Sequence, residues 1–387
     1  DVYKRQVLVL ALVPGFAGLR ASFRDAPPRI RTAVWCTVGL VVWGLVSLLW
    51  SEDAVFGLRV QISLLLGLLS LVVMLGLCRG TDEGVGALRW GYVAALMATG
   101  AVGLWEVATG SHLADATGDD SAYVFSASAI SSTLNNPNNF GAFILATLGS
   151  VLAMFSLRRG VFSLTFLLGM LALAGFLAVN TESRGAVFGY LVILAVALFA
   201  LLLFDVGYFL TAGVGLSVLG LAVYTLLPQR VQNVVETVTT EGDQRSDELR
   251  RNLSADAWRY FEQSGYLGLG AGSFQAHLAN DPTRLATKVT PAHNTLFQTA
   301  AEHGLPGVVL LVTIIAACLS ILVMRAHGFR QRLAQFEVLL LMAAVAMLMF
   351  VASYVLNHAE LWVHIAFMLC LVWNFWRHRG DAAVSSN

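Results

Sequence analysis

His293 is the residue best suited to acid–base chemistry, in the run PAHNTLFQTAAEHGLPG at residues 291–307. Apolar residues after it recur at helical spacing, which predicts that His293 and Asn294 lie near the start of a helix. The positive end of a helix dipole attracts phosphate and disfavours imidazolium. Because a general base must be neutral, His293 is a candidate base. The alternative is a helix-capping or buried structural histidine.

Two arginines could stabilise developing negative charge. Arg184 lies in NTESRG at residues 180–185, which is short enough to be a fixed corner between two helices. Arg250, with Arg251 beside it, lies in the charged run TEGDQRSDELRRN. Guanidinium groups stay ionised and bind anionic oxygens bidentately, so both arginines suit a leaving phosphate. The alternatives are a snorkelling arginine for Arg184 and a solvated face for Arg250.

Other polar residues are candidates for substrate contact. They are Arg251, Asn294, His358 in NHAE at residues 357–360, and Asn136 and Asn138 in the run NNPNNF. The two asparagines around Pro137 could instead only form a turn. Glu302 and Gly304 are expected to set a junction between loop and helix rather than to contact substrate.

The composition excludes a soluble protein. Of 387 residues, 57% are hydrophobic and 12% are charged, with a mean hydropathy of +0.72, whereas soluble domains have about 25% charged residues. The 24 basic and 24 acidic residues leave no net charge to attract nucleic acid, so no nucleic-acid partner is predicted. The four cysteines lie in apolar runs without ligand spacing, so neither disulfides nor structural zinc are predicted.

Eleven apolar runs approach the roughly 20 residues that a membrane-spanning helix needs. They lie near residues 7–19, 32–50, 58–78, 88–107, 138–157, 161–179, 185–204, 207–227, 305–325, 336–356 and 360–376. The predicted fold is an all-α polytopic bundle of about eleven or twelve membrane helices. Three parts follow: N-terminal spans at 1–227, a large extracytoplasmic catalytic loop at 228–304, and C-terminal spans with a cytoplasmic tail at 305–387.

The basic residues predict the orientation of the bundle. If the loop at 228–304 faces outward, the stretches on the opposite side hold thirteen basic residues against five acidic ones. This agrees with the positive-inside rule and makes the C-terminus cytoplasmic. An odd number of spans with Lys4 and Arg5 outside suggests one more helix before residue 1.

The long loop is predicted to be partly helical. Four residues recur at helical spacing, namely Leu253, Ala257, Trp258 and Phe261, and Ser246 or Asp247 is available as a cap. The run GYLGLGAGSF at residues 265–274 follows. It could form a nest of backbone N–H groups for an anion, or it could be a flexible elbow.

Four motifs occur in a characteristic order: NNPNNFGAF, NTESRG, SDELRRNL followed by GLGAGSF, and PAHNTLFQTAAEHGLPG. In this order and spacing the chain resembles the bacterial O-antigen ligase and O-antigen polymerase superfamily of membrane glycosyltransferases, from about residue 40 to residue 376. The resemblance implies a C-type glycosyltransferase in the bacterial cytoplasmic membrane, with its active site on the outer face.

The resemblance also implies a donor and catalytic residues. The donor would be a glycan on undecaprenyl pyrophosphate, and a glycan, lipid-core or protein hydroxyl would accept it with inversion. Family arginines match Arg184 and Arg250, with Arg251 as the alternative, and the family histidine matches His293. No cofactor or metal is implied, and the outward loops contain no DxD triplet.

Several activities share these motifs. A ligase acting on a lipid core and a repeat-unit polymerase rank nearly level, and a protein O-oligosaccharyltransferase comes third. A transporter of lipid-linked glycans is the alternative of another class. It would predict paired charges or broken helices near the middle of the bilayer.

Overall fold

The structure is a computed structural model. It describes residues 14–15, 17–18, 20–21, 23–113, 129–134, 136–157, 160–204, 207, 210, 213–214, 217, 221, 225, 244–350, 356 and 358–385. Within these residues all regular secondary structure is helical, which confirms the predicted all-α class.

Eleven α-helices, numbered in chain order, lie within the described ranges. They are α1 (Pro28–Ser47), α2 (Ala54–Cys78), α3 (Asp82–Thr109), α4 (Pro137–Leu157), α5 (Val161–Asn180), α6 (Arg184–Phe204), α7 (Gln244–Gln263), α8 (Ser273–Asn280), α9 (Thr295–Leu319), α10 (Phe329–Phe350) and α11 (Ala359–Ser385). Short 3-10 turns occur at Leu48–Trp50 and Ser132–Leu134.

Eight of the described helices are long and apolar enough to cross a membrane, namely α1 to α5 and α9 to α11. A polytopic helical membrane protein is therefore confirmed. The predicted span at 185–204 overlaps α6, and eight other predicted spans overlap the eight membrane-length helices. The predicted spans at 7–19 and 207–227 lie largely outside the described residues, so the total of eleven or twelve stays a prediction.

Helix ends differ from the predicted spans where polar side chains extend a helix beyond its apolar run. α9 begins at Thr295, where Asn294 caps it, as the helical spacing after His293 predicts, and its kink at Gly304 lies one residue before the predicted span at 305–325. α10 begins at Phe329, and Gln331 Oε1 accepts the N–H of His327 at 2.6 Å just before it. Such side chains provide partners for backbone groups at a helix start, so hydropathy alone does not mark that start.

The chain divides into two compact units. The first comprises residues 1–88 and 243–387, and the second comprises residues 89–242. The predicted boundary at residue 304 coincides with a kink in α9 at Gly304, where φ is 64°. The predicted boundary at residue 227 lies outside the described residues. The division into three parts thus stays a prediction.

In the first unit, α11 is the most deeply packed helix. It lies against α2 and α10, and α1 lies against α9. Trp362, Phe367 and Phe375 of α11 are fully buried. A Cβ on Gly67 of α2 would lie 2.2 Å from Trp362 Cδ1, so this glycine allows the two helices to approach.

In the second unit, α4 packs against both α5 and α6 and is buried over most of its length. Phe140 of α4 is fully buried. Between α5 and α6, Tyr190 donates its hydroxyl to Leu171 O at 2.9 Å and lies over Gly175. These contacts fix the corner at residues 180–184 that carries Arg184.

Candidate functional site

The described part of the long loop, residues 244–304, folds into a helical region that we call the loop subdomain. It consists of α7, α8 and the first turns of α9 and belongs to the first unit. Its core side chains are at most 2% exposed: Leu253, Ala257, Tyr260, Phe274, Leu278, Ala286, Ala292 and Ala301. Because Ala292 belongs to this core, His293 follows directly after a packed residue.

The predicted helix in this loop is confirmed as part of α7. Three of the four residues predicted on its apolar stripe are buried, namely Leu253, Ala257 and Phe261. Trp258 is instead 45% exposed, and its ring lies 5.9 Å from the ring of Phe297. Ser246 and Asp247 lie inside α7, which extends back to Gln244, so the predicted caps are wrong.

His293 lies one residue before the cap of α9, as the sequence predicts. Asn294 is that cap, and its Oδ1 accepts the N–H of Phe297 at 3.2 Å. His293 has a φ of 51°, a left-handed conformation that costs a non-glycine residue about 1–3 kcal/mol. Its ring is half-buried, with Nδ1 on the buried side. A strained backbone at the candidate base is typical of functional sites.

Three hydrogen bonds connect the residue before His293 with the glycine run. Gln298 Oε1 accepts the N–H of Ala292 at 2.9 Å, and Gln298 Nε2 donates to Glu302 Oε1 at 3.0 Å. Glu302 Oε2 accepts the N–H of Gly272 at 3.1 Å. Gln298 and Glu302 are fully buried. Glu302 therefore lies at the junction between loop and helix, where the sequence predicts it. We call this chain of contacts the Glu302 relay.

The backbone of the glycine run is hydrogen-bonded and packed closely against other backbone segments. The run therefore forms neither an anion-binding nest nor a flexible elbow. Every backbone N–H from residue 268 to 272 donates to a protein acceptor, in order Ser264 Oγ, Ala301 O, Glu302 O, Ser47 Oγ and Glu302 Oε2. No N–H in that stretch is left for an anion. A Cβ on Gly268 would lie 2.5 Å from Gly304 N, and its φ of 88° also requires glycine.

The loop subdomain is anchored on the turn between α1 and α2, a contact that sequence reasoning missed. Hydrogen bonds of 2.5–3.1 Å link this turn to it: Ser47 to Ala271, Trp50 to Gly268, Ser51 to Ala271, and Glu52 to Ser273 and His277. The sequence feature that could have indicated this contact was the polar run Ser51-Glu52-Asp53 between two apolar spans. Asp53 caps α2.

Arg250 and Arg251 lie in the second turn of α7. Arg250 is half-buried and Arg251 is exposed. Leu249, next to Arg250, packs against the same core as Ala292 and Phe297. The structure therefore brings both arginines into the subdomain that carries His293 and Asn294, and the choice between them stays a prediction.

A buried acidic centre in α7 holds the segment that leads to His293, and sequence reasoning missed it. Asp256 is fully buried and accepts the N–H groups of Leu285 and Ala286 at 2.9 and 2.8 Å. Its Oδ1 also pairs with Arg259 Nη2 at 2.9 Å. The sequence feature that could have indicated this centre was Asp256 and Arg259, an acid and a base three residues apart on one helix face.

Arg259 extends this centre to Asp281, with an Nη2–Oδ2 distance of 2.5 Å. Hydrogen bonds from Thr283, then from Tyr260, and the charge of Arg259 lower the pKa of Asp281 to about 2. Burial, together with the hydrogen bond to Asp281, raises the pKa of Tyr260 well above its ordinary value. Arg259 is thus committed to structural contacts within the loop subdomain.

Arg184 is exposed at the first position of α6 in the second unit. Ser183 precedes it, and its Oγ accepts the N–H of Ala186 at 3.3 Å, as an N-cap does. Glu182 turns the chain with a φ of 54°. The predicted fixed corner is therefore present. Arg184 belongs to the second unit, so its convergence with His293 stays a prediction.

Asn136 and Asn138 shape the approach to this corner. Asn136 Oδ1 accepts the N–H of Asn138 at 2.8 Å and so caps α4, as a turn-forming residue would. Asn138 is 8% exposed and its Oδ1 accepts the hydroxyl of Ser183 at 2.7 Å. Asn138 therefore supports the corner that carries Arg184, and its predicted contact with substrate stays a prediction.

Glu106 is a second residue that sequence reasoning missed. It is 2% exposed near the end of α3, and its Oε2 accepts the N–H groups of Ser131 and Ser132 at 3.1 and 2.8 Å. Ser132 is held with a φ of 54°. The only signal was a lone acidic residue in an apolar span, which is costly unless it is bonded.

His358 lies in the connection before α11, and its Nδ1 is 3.6 Å from Glu360 Oε2. The carboxylate of Glu360 thus lies near the ring of His358, and the predicted contact with substrate stays a prediction. Within the described part of the chain, no three His, Cys, Asp or Glu side chains gather as potential metal ligands.

Residues 168–312, a central stretch of less than half of the chain, match the sequence model of a family described as O-antigen ligase. Arg184, Arg250 and His293 all lie within the matched residues. Comparisons with curated proteins and with solved structures gave no match. The family match supports the assignment of this chain to the O-antigen ligase and polymerase superfamily, and with it a glycan-transferring membrane enzyme.

Proposed function

We propose that this chain transfers a glycan from undecaprenyl pyrophosphate to an acceptor hydroxyl at the outer face of the bacterial cytoplasmic membrane. The reaction inverts the anomeric carbon and needs no metal ion. The observation that carries the proposal is the setting of His293. It follows a core residue, is strained and half-buried, and precedes a capped helix in a membrane protein whose central residues match the O-antigen ligase family.

His293 would act as the general base. The acceptor hydroxyl passes its proton to the imidazole while its oxygen forms a bond to the anomeric carbon. The bond from that carbon to the pyrophosphate oxygen breaks, and undecaprenyl pyrophosphate leaves with the electron pair. The imidazolium then releases the proton to solvent. The positive N-terminal end of α9 would disfavour imidazolium and so favour the neutral ring that a general base requires.

The arginines would stabilise the leaving pyrophosphate. Arg250, or Arg251 beside it, lies in the same subdomain as His293. Arg184 is at the first position of α6, where a positive charge has the wrong sign for the helix dipole. Helix stability therefore does not explain an arginine at that position, whereas an anion there would be favoured by both the guanidinium and the backbone N–H groups.

The same donor chemistry serves a ligase and a polymerase. The arginines would bind the donor pyrophosphate, which all three activities share, so they do not distinguish the acceptors. We keep the order of a lipid-core or glycan acceptor first and a protein acceptor second. Offering each acceptor separately to the purified protein distinguishes these activities.

The test uses purified protein in lipid nanodiscs with an undecaprenyl-pyrophosphate glycan, candidate acceptors and a metal chelator. We expect release of undecaprenyl pyrophosphate, and a loss of about 10²–10⁴-fold in His293→Ala. His327→Ala is the control, since His327 is exposed and its hydrogen bond to Gln331 uses the backbone N–H rather than the ring, and it should retain turnover. Full turnover by His293→Ala would refute the base assignment, and a requirement for Mg²⁺ would refute the two-arginine account.

The alternative function is transport of the lipid-linked glycan, and one observation supports it. Glu337 is fully buried well inside α10, and intramembrane carboxylates are common in transporters. Transport predicts movement of a fluorescent lipid-linked glycan across proteoliposomes without release of undecaprenyl pyrophosphate. It also predicts that Glu337→Gln stops that movement, whereas His293→Ala does not.

A further inference from the structure

Glu302 carries a buried carboxylate for which the proposed reaction has no role. It is fully buried, and burial of a carboxylate is costly unless hydrogen bonds compensate. Its contacts include the N–H of Gly272 at Oε2 and the side-chain amide of Gln298 at Oε1. Both carboxylate oxygens are therefore used by groups that lie on either side of the candidate base in the chain.

The contact with Glu302 decides how the amide of Gln298 is oriented. A side-chain amide has one end that donates and one that accepts, whereas a carboxylate only accepts. Since Nε2 of Gln298 faces Glu302, its Oε1 faces the N–H of Ala292 and accepts from it at 2.9 Å. Gln298 and Ala292 are both fully buried, so the amide orientation is fixed by the protein itself.

We infer that Glu302 is a positioning residue: through Gln298 it fixes the backbone at Ala292 and so holds His293 in its left-handed conformation. The inference deepens the proposed function and rests on it for the role of His293 as base. The imidazole must be aligned with the acceptor hydroxyl, and a misplacement of about 1 Å can reduce a rate about 10²-fold. The Glu302 relay supplies the restraint at one end, and the Asn294 cap supplies it at the other.

The relay makes a specific prediction for Glu302→Gln. Glutamine offers one acceptor oxygen where glutamate offers two, so the donors at Gly272 and Gln298 compete for it. If the side-chain amide of Gln298 rotates so that its oxygen faces the new glutamine, its NH₂ group faces the N–H of Ala292, and two donors meet. In either arrangement one backbone N–H, at residue 272 or at residue 292, loses its acceptor.

Exchanging the two side chains restores the three bonds of the relay. In the double variant Gln298→Glu with Glu302→Gln, the new carboxylate accepts from Ala292 and from the new amide. The new amide oxygen accepts from Gly272. The charge and the number of hydrogen bonds within the relay are unchanged, so the relay differs in its direction. A residue that acts on substrate by itself would not be rescued in this way.

The first measurement is turnover per folded protein in nanodiscs, with kcat and the donor KM determined separately. We expect Glu302→Gln to lower kcat about 10²-fold with an unchanged donor KM, and the exchanged double variant to recover most of the loss. Gln298→Met breaks the relay at its other residue and should lower kcat similarly. Thr299→Val is the matched control, since the buried Thr299 hydroxyl bonds only to Thr295 O in its own helix.

The second measurement needs no glycan donor. The rate at which diethyl pyrocarbonate modifies His293, followed by mass spectrometry, should change in Glu302→Gln and Gln298→Met and return in the exchanged variant. If the native chain transfers no glycan, the proposed function fails, and this rate still decides the relay. The inference would be overturned if Glu302→Gln had the same modification rate at His293 and the same kcat as the native chain. It would also be overturned if the folded double variant had a kcat as low as that of Glu302→Gln.

Discussion

The two regions that carry the candidate catalytic residues are held in different ways. At the corner around Arg184, most of the bonds that shape the turn join residues at most four apart, such as the N–H of Ala186 to Ser183 Oγ and the N–H of Val187 to Ser183 O. The hydroxyl of Ser183 adds one bond to a distant residue, Asn138. The loop subdomain around His293 depends on bonds between distant residues, such as Gly272 to Glu302 and Ser47 to Ala271.

The two kinds of hydrogen bonding predict different responses to the loss of one bond. A corner made of local bonds keeps its shape when one bond is lost, because the flanking helices remain. A subdomain that depends on distant bonds loses the placement of a whole segment when one buried partner is removed, since the remaining groups stay buried and unpaired. Substitutions in the two regions should therefore have unequal effects.

The largest effect is expected for Asp256→Ala in the loop subdomain. The change leaves the N–H groups of Leu285 and Ala286 without their acceptor and removes a partner of Arg259. We expect the free energy of local opening at residues 285–286 to fall by about 3 kcal/mol, measured by hydrogen exchange in detergent micelles. Glycan transfer should fall with it, because this segment leads to His293.

Glu262→Ala is the matched control for that substitution. Glu262 is on the same helix but is exposed, where it accepts the indole N–H of Trp258 at 2.8 Å. Its loss should change exchange at residues 285–286 by less than about 0.5 kcal/mol. Equal effects of the two substitutions would contradict the structural role of Asp256.

A smaller effect is expected for Ser183→Ala at the corner. It removes the side-chain cap of α6 and the hydroxyl that donates to Asn138, for a loss of about 1 kcal/mol in stability. The measurement is hydrogen exchange at the first turn of α6. Ser183→Thr keeps the hydroxyl and should retain most of the stability. A loss as large as that of Asp256→Ala would remove the contrast between the two regions.

The smallest effect is a pH dependence within the loop subdomain. The pKa of Asp281 is lowered to about 2 in the folded protein, against about 3.9 for an unperturbed aspartate. A lowered folded pKa means that the stabilisation is present above about pH 4 and is lost as pH falls towards 2. The difference in thermal midpoint between the native chain and Asp281→Asn should be constant from pH 7 to about 4 and then vanish. A difference that grows below pH 4 would contradict this sign.

Much of the fold could be predicted because its determinants are local. Apolar runs of membrane-spanning length predicted the helices, and helical spacing predicted the buried positions of Leu253, Ala257 and Phe261. The position of His293 before a helix start also followed from spacing. Helix limits were less accurate, as at Phe329, because polar residues can extend a helix beyond its apolar run.

The sequence by itself determined a polytopic helical membrane protein, its candidate base and arginines, and its resemblance to a family of glycan-transferring enzymes. Only the tertiary structure decided that the glycines clamp backbone against backbone, that Asp256 and Arg259 form a buried centre, and that Glu302 connects Gly272 with Ala292. The physical reason is range. Period, capping and hydropathy act within a few residues, whereas a buried hydrogen bond requires two segments to meet, and no local pattern records which ones do.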